Sequence, residues 1–142
     1  MNGDRYDLQR FLTAQERDYE QALREIRSGR KRSHWIWYIF PQLKDLGFSS
    51  TAKYYGIQNL DEAKAYLAEP TLHARLVEIS GALLTLSEND PEKIMGYPDH
   101  LKLRSSMTLF AAADPEEPVF RQVLEKFFNG EADHKTLELL SS

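Results

Sequence analysis

The chain contains no cysteine. Disulfides, thiolate metal sites and a cysteine nucleophile are therefore excluded, and the absence suits a reducing compartment. Long apolar runs are missing too. The longest, Trp35 to Pro41, falls far short of the roughly 20 residues that a membrane-spanning helix needs. Met1 to Tyr6 carries no apolar stretch of signal-peptide length, so the expectation is a cytoplasmic protein without a membrane partner. No segment alternates apolar and polar residues over five or more positions, which leaves strands little support. Dinucleotide, P-loop and nucleophile-elbow glycine patterns are absent. The four histidines, His34, His73, His100 and His134, are scattered, and no pair has the i, i+4 spacing of a helical zinc site. Neither a metal nor another cofactor is expected.

Positive charge is not in excess. The net charge is −4, from 22 acidic and 18 basic residues. Phosphate neutralisation along a nucleic acid needs a basic surplus, so nucleic acid is an unlikely partner. The 142 residues suit one domain, residues 1–142, without linker, repeat or low-complexity segment. Such a chain buries roughly 70% of its unfolded surface and needs no covalent staples. Hydrophobic content of 42% and charged content of 28% are those of an ordinary globular protein.

Helical spacing dominates what is present. Leu8, Phe11, Leu12, Tyr19, Ala22, Leu23 and Ile26 recur at steps of three and four. They predict a short helix near Leu8–Thr13 and a longer one from about Glu16 to Ser28, stopped by Gly29. Asn59 with Glu62 marks a capped helix start. Pro70 and Pro91 suit first helical positions, Pro91 behind a capping Asp90, while Asp114-Pro115 and Pro118 break a helix and Asp133 caps a last turn. Further helices are expected through about Leu86, over Pro98–Phe110, over Val119–Phe128 and over Thr136–Leu140. All six prolines fall at predicted boundaries. The expected fold is an all-α, irregular bundle of six to eight short helices.

Arg30 to Gln42 is the least generic stretch. Three cations, Arg30, Lys31 and Arg32, precede Ser33, His34 and an apolar-aromatic run that holds both tryptophans, Trp35 and Trp37. Trp35, Ile36, Ile39 and Phe40 read first as packing residues in a core helix or buried strand. The cations beside Ser33 suit an anion site, since guanidinium groups clamp phosphate or carboxylate in a bidentate way. An indole face can stack a ring. His34 is the leading general acid-base candidate. A second polar cluster spans Asp99 to Thr108. On a helix Lys102, Ser105 and Ser106 share a side with Asp99, while Leu103, Met107 and Phe110 face another. The expected site joins His34 and Asp99 as catalytic groups to Arg30, Arg32, Ser33, Trp35, Trp37, Gln42, Lys102, Ser105 and Ser106 as ligand contacts. A third element, Leu46 to Ile57, places Ser49 or Ser50 to cap a helix after Gly47.

Four stretches together resemble a known family: Gly29–Gln42, the Leu46-Gly-Phe-Ser49 turn, Glu62–Leu67 and Lys102–Phe110. They are similar to the domain-of-unknown-function family numbered 1810, over about Asp7 to Leu140. The resemblance implies a mainly α-helical single domain and no assigned reaction. A calpastatin-like label on some members does not fit, because calpastatin segments are disordered and this composition is compact. The order of Glu62 and Tyr66, Arg75-Leu76, Met107, a phenylalanine-rich helix and Thr136-Leu-Glu138 is also loosely similar to helical enzymes that cleave N-glycosidic bonds in ADP-ribose-linked compounds and riboflavin intermediates. Two functions follow as expectations. One is a polar-aromatic pocket for an anionic, ring-containing small molecule such as a nucleotide or ribose phosphate, with N-glycosidic hydrolysis as its implied chemistry. The other is a non-catalytic protein-binding or adaptor module whose polar groups are structural.

Overall fold

The computed structural model describes residues 6–141. The expectation for Met1 to Arg5 lies outside the described residues. Among the described residues nine α-helices run in the order α1 (Gln9–Arg27), α2 (Ile36–Ile39), α3 (Ser50–Tyr54), α4 (Leu60–Ala68), α5 (Pro70–Leu84), α6 (Pro91–Met95), α7 (Asp99–Ala113), α8 (Pro118–Phe128) and α9 (His134–Leu140). The all-α expectation holds, with one helix more than its upper bound. A 3-10 turn, Lys44–Leu46, joins α2 to α3. No strand forms among the described residues beyond an isolated parallel bridge between Leu43 and Ile57. No helix among them is long and apolar enough to cross a membrane.

Local capping sets most helix starts. Ser49, Asn59, Glu69, Asp90, Glu117 and Asp133 each accept a hydrogen bond from a first-turn amide of the helix that follows, satisfying donors that the helix itself cannot. Three of these helices open on proline, where a missing N–H is no loss. The two helices expected between Leu8 and Ser28 are one continuous α1. Nothing between them breaks a helix, and Ala14 and Gln15 at the expected gap are buried. Gln15 donates to the Tyr38 carbonyl at 2.8 Å and to the Tyr66 hydroxyl at 2.9 Å, so the polar residue at that point is an interior link rather than a cap.

The core gathers one continuous apolar cluster in which Phe11, Trp35, Phe40, Tyr66, Phe110 and Phe120 are nearly or fully buried. Helices α1 and α5 pack together, and α5, α7 and α8 form the other main contacts. The largest correction concerns α7. An amphipathic helix was expected, but Leu103 and every residue from Ser105 to Phe110 are buried. Neighbours on several sides enclose it over 105–110, and its polar groups that reach the surface, Asp99, Lys102 and Arg104, lie in its N-terminal part. Ser105 and Thr108 turn their hydroxyls back to the carbonyls four residues earlier, Leu101 and Arg104, at 3.2 and 2.8 Å, the usual way a helix accommodates a buried hydroxyl.

A buried ion pair ties the start of α1 to the rest. Arg10 Nη2 reaches Glu62 Oε2 at 2.9 Å, with both side chains almost wholly enclosed. The same guanidinium donates to the carbonyls of Tyr54 and Gly56 at 2.8 and 2.9 Å and to that of Asp7, while Glu62 Oε1 accepts from the Gln58 amide at 2.8 Å. Gly56 packs directly on the Lys44 backbone, and a Cβ there would collide with it. Breaking such a pair strands the remaining charge, at a cost of about 3–5 kcal/mol. Glu62→Ala is therefore expected to lower the urea-unfolding free energy by about that amount, and a loss below about 1 kcal/mol would show the pair to be dispensable.

Candidate functional site

The stretch after α1 is organised by a residue that sequence reasoning passed over. Gly29 takes φ +88°, turning the chain out of the helix as its amide bonds to the Ile26 carbonyl at 2.9 Å. The chain then folds back over the Glu25 carboxylate. Glu25 Oε1 accepts from the Arg32 amide at 2.7 Å, the Ser33 amide at 3.0 Å and the Trp35 indole N–H at 2.9 Å. Oε2 accepts from the Ser33 hydroxyl at 2.6 Å and from Gln21 Nε2 at 3.1 Å. Burial alone would raise the pKa of this carboxyl, but the donors of Ser33, Arg32, Trp35 and Gln21 outweigh it and hold it down at about 2.

Lys31 carries the turn across to α6 and α7. Its amide donates to the Ile94 carbonyl at 2.7 Å. Its ammonium pairs with Asp99 Oδ2 at 2.8 Å, donates to the Ser33 carbonyl, and lies 4.9 Å from the centre of the Trp35 ring system. Asp99 Oδ1 also takes Lys102 Nζ at 3.3 Å. The two polar segments of the sequence thus meet, through a Lys31–Asp99–Lys102 triad. Beside it lies a depression of about 430 Å³ lined by Arg30, Lys31, Glu92, Lys93, Ile94 and Gly96. Gly96, at φ +81°, ends α6 there. His100, in the first turn of α7, brings Nε2 to 3.9 Å from Glu92 Oε1, and its Nδ1 is buried without a partner. Tyr97 is 73% exposed, with its ring 5.8 Å from that of His100.

The expected site residues divide accordingly. Arg30, Asp99 and Lys102 come together around this depression and its triad. Arg32 and His34 are exposed, Arg32 tied down only through its backbone. The His34 carbonyl lies 3.5 Å from the Tyr38 hydroxyl, and no His34–Asp99 contact forms. Ser33 and Trp35 are committed to Glu25, and Trp35 is 1% exposed, so it offers no face to a ligand. Trp37 packs partly buried against the core. Gln42 is buried, its carbonyl accepting from the Ile57 amide at 2.9 Å. Ser105 and Ser106 lie inside the bundle rather than on a pocket wall, and Ser106 Oγ has no partner. Lys93, Tyr97 and His100 went unselected as contacts. Pro91 and Gly96, which punctuate the chain around them, were the available signal.

A model of the family described as "Protein of unknown function (DUF1810)" matches residues 5–140. The crystal structure of the conserved hypothetical protein Rv1873 from Mycobacterium tuberculosis is similar at 45% identity and a TM-score of 0.94, over 96% of this chain and 98% of that one. No curated protein matches.

Removing the Glu25 carboxylate leaves the Trp35 indole N–H and two loop amides without their acceptor, at about 1–3 kcal/mol for each buried donor so stranded. Glu25→Ala is expected to destabilise the protein by at least about 3 kcal/mol. Because the folded pKa of about 2 lies below the ordinary value of 4.5, the stabilisation is complete above pH 4.5 and declines as pH falls toward 2. Denaturant titrations from pH 6 to 2.5 should show this slope in the wild type and a shallower one in Glu25→Gln. Equal slopes would contradict the assignment.

Proposed function

We propose, from the premise that this chain belongs to the DUF1810 family of proteins of unknown function, that the face formed by Arg30, Lys93, Tyr97 and the start of α7 binds a small anionic, ring-containing molecule such as a nucleotide or ribose phosphate. The observation that carries this reading is a cation-lined depression that ends at Gly96, followed directly in the chain by the exposed ring of Tyr97. Arg30 and Lys93 contact the anion. Asp99 holds Lys31 and Lys102 in place beside it. Tyr97 supplies a flat face for the ring, as exposed aromatics beside cations do for bases. If the ligand is cleaved at an N-glycosidic bond, proton transfer falls to Glu92 and His100, which approach to 3.9 Å, rather than to His34.

One observation favours the second reading, a protein-binding module. Phe48 is 93% exposed and Tyr54 57% exposed, on the turn and helix that follow α2. Exposed aromatics of this kind anchor protein contacts. Phe48→Ser separates the two readings, since it should leave small-molecule binding unchanged.

A thermal-shift screen against adenosine monophosphate, ADP-ribose and ribose 5-phosphate tests the proposal. A ligand at 100 times its Kd adds about 2.7 kcal/mol to stability, a rise of several degrees in Tm for a domain of this size. The rise is expected in the wild type and should vanish in Arg30→Ala, Lys93→Ala and Tyr97→Ala, whose side chains lie at the surface. No shift with any of the three ligands, or shifts equal in all variants, would sink it.

A further inference from the structure

The charges around this face constrain what it takes. Arg30, Lys31, Lys93 and Lys102 stand against Glu92 and Asp99. Four cations and two carboxylates leave a formal surplus of two positive charges. The surplus is unevenly placed. Asp99 already serves Lys31 and Lys102, and the Lys31 side chain is only 6% exposed. The Arg30 and Lys93 side chains, by contrast, have no hydrogen-bond or ion-pair partner among the described residues, and both are exposed. Two unpaired cations, Arg30 and Lys93, flank one depression that also carries the exposed Glu92, while Asp99 offsets one of the two lysines beside it, so the face as a whole keeps its surplus of two.

We infer that the ligand of this face presents a dianionic phosphate monoester rather than a singly charged phosphodiester. The inference rests on the reading proposed above and adds the charge and form of the anion. A monoester carries about −1.5 to −2 charge at neutral pH and three terminal oxygens. Two of those oxygens suit the forked donors of Arg30, leaving a third for the single ammonium of Lys93. A diester carries one negative charge and two free oxygens, and leaves one of the two cations uncompensated. Asp99 acts as a charge filter. By offsetting one charge of the Lys31–Lys102 pair it holds the surplus of the whole face at two, where an open cluster of four cations would favour polyanions of every kind. Tyr97 then distinguishes a ring-bearing monoester from inorganic phosphate.

The full chain is titrated with adenosine 5′-monophosphate, with 3′,5′-cyclic adenosine monophosphate and with adenosine, and heteronuclear NMR follows the amides of Arg30, Lys93 and Tyr97. The monoester is expected to bind about tenfold or more tightly than the cyclic diester and to move those amides, with adenosine weaker than both. Lys93→Glu should weaken the monoester about tenfold, while Lys64→Glu, an equal charge change on the exposed side of α4, should leave it unaltered. Equal affinity for monoester and diester, both lost in Lys93→Glu, would overturn the dianion inference and leave the anion site standing. Binding that ignores Lys93→Glu, or no binding at all, would overturn both.

Discussion

The Glu25 carboxylate is the constraint on which the rest of this face depends. Five donors converge on its two oxygens: two loop amides, the Ser33 hydroxyl, the Trp35 indole and the Gln21 amide. A buried carboxylate is costly unless it is fully hydrogen-bonded, and this one is. In return it prescribes the path of the chain from Arg30 to Trp35. That path decides where Arg30 and Lys31 emerge relative to α6 and α7. The placement of the surface cations therefore inherits the rigidity of the last turns of a 19-residue helix rather than the freedom of a loop. The same contact explains why Trp35 is unavailable for stacking. Its N–H is spent on Glu25, and its ring faces Lys31 on one side and Phe40 at 6.2 Å on another.

A second carboxylate continues the chain of contacts. Lys31 is almost enclosed, and an enclosed ammonium needs a counter-ion. Asp99 supplies it and also takes Lys102. Glu25, the loop, Lys31, Asp99 and Lys102 thus form one connected polar seam from α1 to α7. At the opposite end of α1 the Arg10–Glu62 pair makes a comparable link to α4, supported by carbonyls of the segment around Gly56. Apolar packing holds α1 in the bundle, while these two polar links set its register. Apolar surfaces alone tolerate sliding, whereas a buried charge has few satisfactory positions.

Much of the fold was legible in the sequence because helix ends are local events. Asn59, Asp90 and Asp133 cap where they were expected to, Ser49 takes the capping role left open between it and Ser50, and Pro70 and Pro91 stand at first helical positions, while Pro118, expected only to break the preceding helix, also opens α8. The site was less legible because its links are not local. Arg10 meets Glu62 across 52 positions, and nothing near either residue announces the other. Glu25 reads as one more polar residue on a helix until the chain turns back at Gly29. His34 attracted attention by its place between basic and aromatic residues, yet once Trp35 is drawn inward toward Glu25 its neighbour His34 is left at the surface. Ser105 and Ser106 were misplaced for a different reason. Reasoning from helical spacing assumes one buried side and one wet side, and α7 is packed on several sides, so its hydroxyls are interior.

Two polar atoms on α7 are buried without a partner, His100 Nδ1 and Ser106 Oγ, and they do not mean the same thing. Unsatisfied buried groups are uncommon, and each calls for a reason. Ser106 lies wholly within the core, and its hydroxyl is the smallest polar group a helix can tolerate there. His100 differs in position. It stands in the first turn of α7, beside the Lys31–Asp99–Lys102 triad, with its other nitrogen directed at Glu92 on the rim of the depression. An imidazole held with one nitrogen unsatisfied and the other at a long 3.9 Å from a carboxylate is not optimised for stability. A leucine would fill that volume with no polar group to satisfy. Retaining a titratable ring there, next to unpaired Arg30 and Lys93, concentrates local imperfections on a single face. Such departures from the most stable arrangement collect at functional sites, which is why this seam, rather than the more eye-catching tryptophan segment, is the part of the molecule where binding is best sought.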